Sequence, residues 1–122
     1  VNDKMRQTIR IPMIYWNVDT EDWASRNKDK ILSRCKSIKD GDIVLMHDLY
    51  PSTAAAVEKL VPKLRKKGFQ LVTVEELFYY KGIDAKGGKV YFNLRFHNSR
   101  KCLRKCLRKY KESLANLSLT ML

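Results

Sequence analysis

An α/β fold with parallel strands is predicted by the alternation of two sequence patterns along this chain. Residues 11–18 and 43–46 are short, nearly continuous apolar runs, which is the pattern of strands covered on both faces. A helical stripe follows each run, and a strand, helix, strand order at this spacing implies right-handed crossovers between parallel strands. The order fits either an open doubly wound sheet or a sector of a β/α barrel.

The helices that follow these strands have recognisable ends. Residues 27–39 carry an apolar stripe, and Asn27 is a suitable N-cap for it. A second stripe begins near Pro51 and ends at Gly68, a suitable C-cap. Pro62 lies inside the second stripe and predicts a bend in that helix.

A third strand and helix complete the predicted order. Residues 69–74 are predicted as the strand. Thr73 and Glu76 have the spacing of a capping box, which predicts a short helix ending near Gly82.

The positive charge is concentrated at the C-terminal end. The net charge is +12, and residues 95–122 hold eight Lys or Arg against one Glu. Residues 94–122 are therefore predicted as a separate basic extension, either an amphipathic helix or a disordered segment, with weak contact to anionic surfaces. Because aromatic residues are sparse there, no specific nucleic-acid partner is expected.

Asp19 and His47 are the candidate catalytic residues. They come directly after two successive predicted strands, and active sites in parallel α/β folds form beyond the carboxyl ends of the strands. A carboxylate that accepts a hydrogen bond from one imidazole nitrogen suits the other nitrogen to act as a general acid. The alternative is that His47 is a structural histidine and Asp19 caps a turn.

Two motifs resemble those of the polysaccharide deacetylases, the NodB-homology carbohydrate esterase family. The sequence Asp-Thr-Glu-Asp-Trp at 19–23 resembles the family's D-x-x-D-W motif, and Leu-Met-His at 45–47 resembles its L-x-H motif. The similarity extends over residues 11–93. It predicts residues 1–93 as the C-terminal portion of a deacetylase domain with a distorted β/α barrel fold.

The resemblance also implies an activity. The family hydrolyses acetyl groups of polysaccharides with a divalent metal, commonly zinc, and an upstream aspartate as base. N-deacetylation of N-acetylglucosamine polymers such as peptidoglycan or chitin is favoured here, at the cell envelope or outside the cell. No export signal is visible in the sequence.

Five residues match the family's motif positions. His47 matches the general acid, and Asp19 matches the residue that tunes it. The remaining three are assigned to the substrate pocket: Trp23, Leu45 and Asp22.

The family's first three motifs, T-F-D-D-G, H-S/T-x-x-H and R-x-P-P-Y, are not found in the sequence. The chain is therefore expected to supply the general-acid half of the site but no metal ligands. The alternatives are a catalytically inactive fragment that binds anionic polymers through its basic extension, and a degenerate product without activity.

Overall fold

Two pairs of short parallel strands lie at the centre of the fold. In this computed structural model, which describes residues 2–95, β1 (Met13–Ile14) pairs with β4 (Val90–Tyr91), and β2 (Val18–Asp19) pairs with β3 (Val44–Leu45). The predicted parallel arrangement of the first two apolar runs is confirmed by the β2–β3 pair. The basic extension predicted for the C-terminal end lies outside the described residues, except for its first two.

Helices connect and cover these strands. The five α-helices among residues 2–95 are α1 (Asp3–Thr8), α2 (Asp22–Ser25), α3 (Lys28–Arg34), α4 (Pro51–Lys66) and α5 (Val74–Lys81). A 3₁₀ turn, Cys35–Ser37, extends α3. Within the same residues, no helix is long and apolar enough to cross a membrane.

The predicted helix ends are largely confirmed. The Asn27 side chain accepts hydrogen bonds from two amides in the first turn of α3, at 3.0 and 3.1 Å. Thr73 and Glu76 form both bonds of the capping box, and Gly82 ends α5 with a φ of 63°. The predicted second helix is α4, which continues through Pro62 to Lys66.

Two apolar clusters hold the elements together. The first lies between α3 and α4 and is centred on Cys35, Leu60 and Leu64. In the second, the ring of Phe78 meets the ring of Tyr91 edge-on at 4.8 Å between centroids. The apolar stripes of α3 and α4 therefore pack against each other in the first cluster.

The single strand predicted at 11–18 is divided into β1 and β2. Tyr15 donates its backbone N–H to Tyr91, whereas Asn17 donates to Ile43. The chain therefore changes its hydrogen-bonding partner between the two strands.

The strand predicted at 69–74 is absent. A cavity of about 290 Å³ is lined by residues 38–44 on one side and by residues 69–74 on the other. An apolar run becomes a strand only where a neighbouring backbone meets it, and the cavity separates these two segments. The sequence patterns also missed α1 and β4.

The C-terminal end of the described chain is tied to the start of β3. Leu94 donates its N–H to the carbonyl of Gly41 at 2.7 Å, and the guanidinium of Arg95 forms an ion pair with the buried carboxylate of Asp42. Burial raises the pKa of Asp42. The hydrogen bonds from the Arg95 side chain, the Lys39 backbone and the Asn17 side chain outweigh this effect, so the pKa is lowered.

Candidate active site

A tight turn after β2 directs the side chain of Asp22 inward. The carboxylate of Asp19 accepts a hydrogen bond from the backbone N–H of Glu21 at 2.9 Å, and Glu21 adopts the left-handed conformation with a φ of 47°. The buried Thr20 hydroxyl donates to the carbonyl of Leu45 at 2.8 Å, which fastens the turn to β3. Helix α2 begins at Asp22 with this side chain fully buried.

Four hydrogen bonds converge on the carboxylate of Asp22. One oxygen, Oδ1, accepts from the backbone N–H of Trp23 at 2.9 Å and contacts Nδ1 of His47 at 2.7 Å. The other, Oδ2, accepts from the backbone N–H of His47 at 2.6 Å and from the hydroxyl of Thr53 at 2.8 Å. Burial is tolerated because the carboxylate has these four donors.

The same contacts determine the charge of Asp22. Burial raises its pKa, but the hydrogen bonds from the His47 side chain and backbone, from Thr53 and from Trp23 outweigh this, and the pKa falls from 3.8 to about 2. Asp22 is therefore an ionised carboxylate at neutral pH.

The charge of Asp22 fixes the hydrogen-bonding role of the imidazole. An ionised carboxylate only accepts hydrogen bonds, so Nδ1 of His47 must carry the proton that lies between them. The His47 side chain is 37% exposed, and its Nε2 makes no hydrogen bond to residues 2–95. This arrangement leaves Nε2 as the ring nitrogen that is accessible to a bound molecule.

The residue expected to contact His47 requires a correction. Asp19 was predicted to accept the imidazole hydrogen bond, but Asp22 does so. The carboxylate of Asp19 instead accepts from the indole N–H of Trp16 at 3.3 Å and from Glu21. Asp19 stabilises the turn after β2 through its hydrogen bond to the backbone of Glu21. Asp22 is the acidic residue whose side chain is buried beside His47.

No family model matches the chain. The chain is 39% identical over 94 residues to the peptidoglycan-N-acetylglucosamine deacetylase PgdA of Listeria monocytogenes, which covers 76% of this chain and 20% of PgdA. It also superposes on the solved structure of T48 deacetylase with substrate, with a TM-score of 0.69, 38% identity, and coverage of 75% of this chain and 45% of that one. About three quarters of this chain is therefore homologous to part of a polysaccharide deacetylase.

A more distant structural neighbour supports the same fold. The family 4 acetyl xylan esterase of Clostridium thermocellum, solved in complex with a cobalt ion, has a TM-score of 0.69 at 23% identity over 77% of this chain and 49% of that one. The chain thus spans about a fifth of the length of PgdA and less than half of each of these two solved deacetylase-type structures.

Two other predicted pocket residues lie next to the Asp22–His47 pair in the sequence. Trp23 directly follows Asp22 and is 54% exposed, and Leu45 is half-buried two residues before His47. Their role as apolar walls for an acetyl methyl group stays a prediction.

Three residues around the Asp22–His47 pair were missed from the sequence. Tyr50 meets the imidazole edge-on at 6.5 Å between ring centroids, and the guanidinium of Arg26 lies 4.9 Å from the centre of the Tyr50 ring. Thr53 contacts Asp22 from α4. Thr53 lies six residues after His47, in the first turn of α4. This position in the sequence was the signal from which its place in the site could have been predicted.

The described residues do not fit a divalent metal by themselves. Residues 2–95 contain no group of three or more His, Cys, Asp or Glu side chains placed to hold one. One nitrogen of His47 is already bonded to Asp22. Catalytic zinc sites generally use three protein ligands.

Proposed function

We propose that this chain provides the general acid in the metal-dependent hydrolysis of acetyl groups from a polysaccharide. The observation that carries the proposal is the 2.7 Å contact between His47 Nδ1 and the buried, ionised Asp22. N-acetylglucosamine polymers are the favoured substrates, because PgdA, by its name, acts on the N-acetylglucosamine of peptidoglycan. We place the activity at the cell envelope or outside the cell, where such a polymer is found.

The proposed step is a proton transfer. When an acetamide is hydrolysed, the sugar nitrogen leaves carbon and must gain a proton. The imidazolium of His47 gives that proton from Nε2, while Asp22 holds Nδ1–H and stabilises the positive charge before transfer. General acid catalysis of this kind contributes about 10²- to 10⁴-fold to the rate.

The remaining chemistry is assigned to residues that the chain does not supply. A divalent metal, with zinc favoured, would supply Lewis acidity towards the acetyl carbonyl in this class of reaction. We propose that its ligands and the base that activates water belong to the portion of the deacetylase domain that this chain does not cover. The 122-residue chain alone is then expected to release no acetate.

A chimeric enzyme tests this proposal. Residues 11–93 would replace the matching segment of T48 deacetylase, whose own remaining residues supply the rest of the domain. With a divalent metal added, the chimera is expected to release acetate from acetylated chitooligosaccharides and peptidoglycan. His47→Ala should lower kcat by at least about 10²-fold.

Asp48→Asn is the matched control, because Asp48 is exposed and directly follows His47. This variant is expected to keep the rate of the parent chimera. The proposal fails if His47→Ala is as active as Asp48→Asn. It also fails in its division of labour if the 122-residue chain releases acetate alone and loses that activity on His47→Ala.

A further inference from the structure

We propose that Thr53 is a positioning residue that orients the imidazole of His47 through Asp22. The inference rests on the proposed function, since it concerns the same general acid. Thr53 makes no hydrogen bond to His47, and its hydroxyl donates to Oδ2 of Asp22 at 2.8 Å.

Thr53 is an independent anchor for the carboxylate. Two of the four donors to Asp22 belong to His47, the residue whose ring is to be oriented. A third, the N–H of Trp23, belongs to the next residue in the chain and moves with Asp22. The Thr53 hydroxyl is the contact that fixes the carboxylate relative to a separate element, α4.

The anchor is held rigidly. Thr53 is 3% exposed, and its backbone N–H donates to the carbonyl of Tyr50 at 2.9 Å in the first turn of α4. Ala56 and Leu60 are buried on the same face of this 16-residue helix. Burial of the side chain and its hydrogen bond to Asp22 hold the hydroxyl towards the carboxylate.

Removing the hydroxyl should loosen the carboxylate without emptying the space. Thr53→Val keeps the shape of the side chain but leaves one lone pair of a buried carboxylate without a donor. The carboxylate is then expected to rotate away from its present position, and Nδ1 of His47 loses its fixed acceptor. Thr53→Ser retains the hydroxyl and is expected to behave as the parent.

The test uses nitrogen-15 NMR of the imidazole in the 122-residue chain near pH 8, with His97→Gln in every sample so that a single ring is observed. The parent and Thr53→Ser are expected to show the tautomer protonated at Nδ1. In Thr53→Val the ratio of this tautomer to the one protonated at Nε2 should fall about tenfold. In the chimera, the same substitution should lower kcat about tenfold and leave KM little changed.

An unchanged ring spectrum in folded Thr53→Val would overturn the proposal. If that variant does not fold, the hydroxyl proton of Thr53 in the parent decides the matter. A slowly exchanging hydroxyl proton close to the imidazole supports the anchor, whereas rapid exchange with water refutes it. Failure of the proposed function would give a different result. The tautomer shift in Thr53→Val would still occur, but His47→Ala would leave the activity of the chimera unchanged.

Discussion

Replacing Asp22 by Asn tests the central contact of the site by its effect on stability. The substitution keeps the size of the side chain but exchanges one oxygen for an NH₂ group. If the NH₂ takes the Oδ2 position, it faces the backbone N–H of His47, which lies 2.6 Å from Oδ2 and cannot become an acceptor. We expect the free energy of unfolding at pH 7 to fall by about 2 to 3 kcal/mol.

The dependence of stability on pH gives a second, independent measure of what Asp22 contributes to the free energy of unfolding. The pKa of Asp22 is lowered from 3.8 to about 2, and each unit corresponds to about 1.4 kcal/mol. The resulting contribution of about 2 kcal/mol is complete above pH 3.8 and is lost as the pH falls through the folded-state value near 2. The parent should therefore lose about 2 kcal/mol more between pH 6 and pH 2 than Asp22→Asn loses.

Urea unfolding followed by circular dichroism at pH 7, 4 and 2 measures both quantities. Asp48→Asn is again the matched control, since it makes the same chemical change on an exposed carboxylate near His47, and it should shift the stability by less than about 0.5 kcal/mol. Equal stabilities of the Asp22 and Asp48 variants at pH 7 would refute the reasoning. So would parallel acid profiles of the parent and Asp22→Asn.

Two further predictions concern the ties around β3, and both are measured by urea unfolding. Gly41 and Gly68 have φ angles of 87° and 85°, but a Cβ on Gly41 would lie 2.6 Å from the carbonyl of Leu94, whereas one on Gly68 meets nothing within 4 Å. Gly68→Ala should lower the free energy of unfolding by about 1 kcal/mol, and Gly41→Ala by at least about twice that. Equal losses would contradict the close approach of Gly41 to the Leu94 carbonyl. Asp42→Ala should lower the free energy of unfolding because it leaves Arg95 without its carboxylate partner, and adding Arg95→Met should recover part of the loss. A double variant no more stable than Asp42→Ala contradicts the ion pair.

Features set by neighbouring residues were predictable from the sequence. The cap at Asn27 and the capping box of Thr73 and Glu76 depend on groups within three residues, so the local pattern contains all the information that they need. The position of His47 just after the second predicted strand was also correct. Its acceptor was not, because the left-handed turn at Glu21 decides which acidic side chain points inward.

Features that depend on distant partners were predicted less well. Residues 69–74 have the composition of a strand, but the backbone that would pair with them lies across a cavity. Conversely, β4 consists of only two residues and forms because β1 is beside it. In both cases the deciding contact involves residues far apart in the sequence, and a local pattern does not contain it.

The pairing of β1 with β4 has a consequence for the order of events during synthesis. The register joins Met13 to Val90, so 77 residues separate the two partners along the chain. At about 5 to 20 residues per second, translation places roughly 4 to 15 seconds between the appearance of one strand and the other. Pairing of β2 with β3 needs only 26 residues, since Val18 pairs with Val44, so the half of the fold that holds Asp22 and His47 can assemble on the ribosome first.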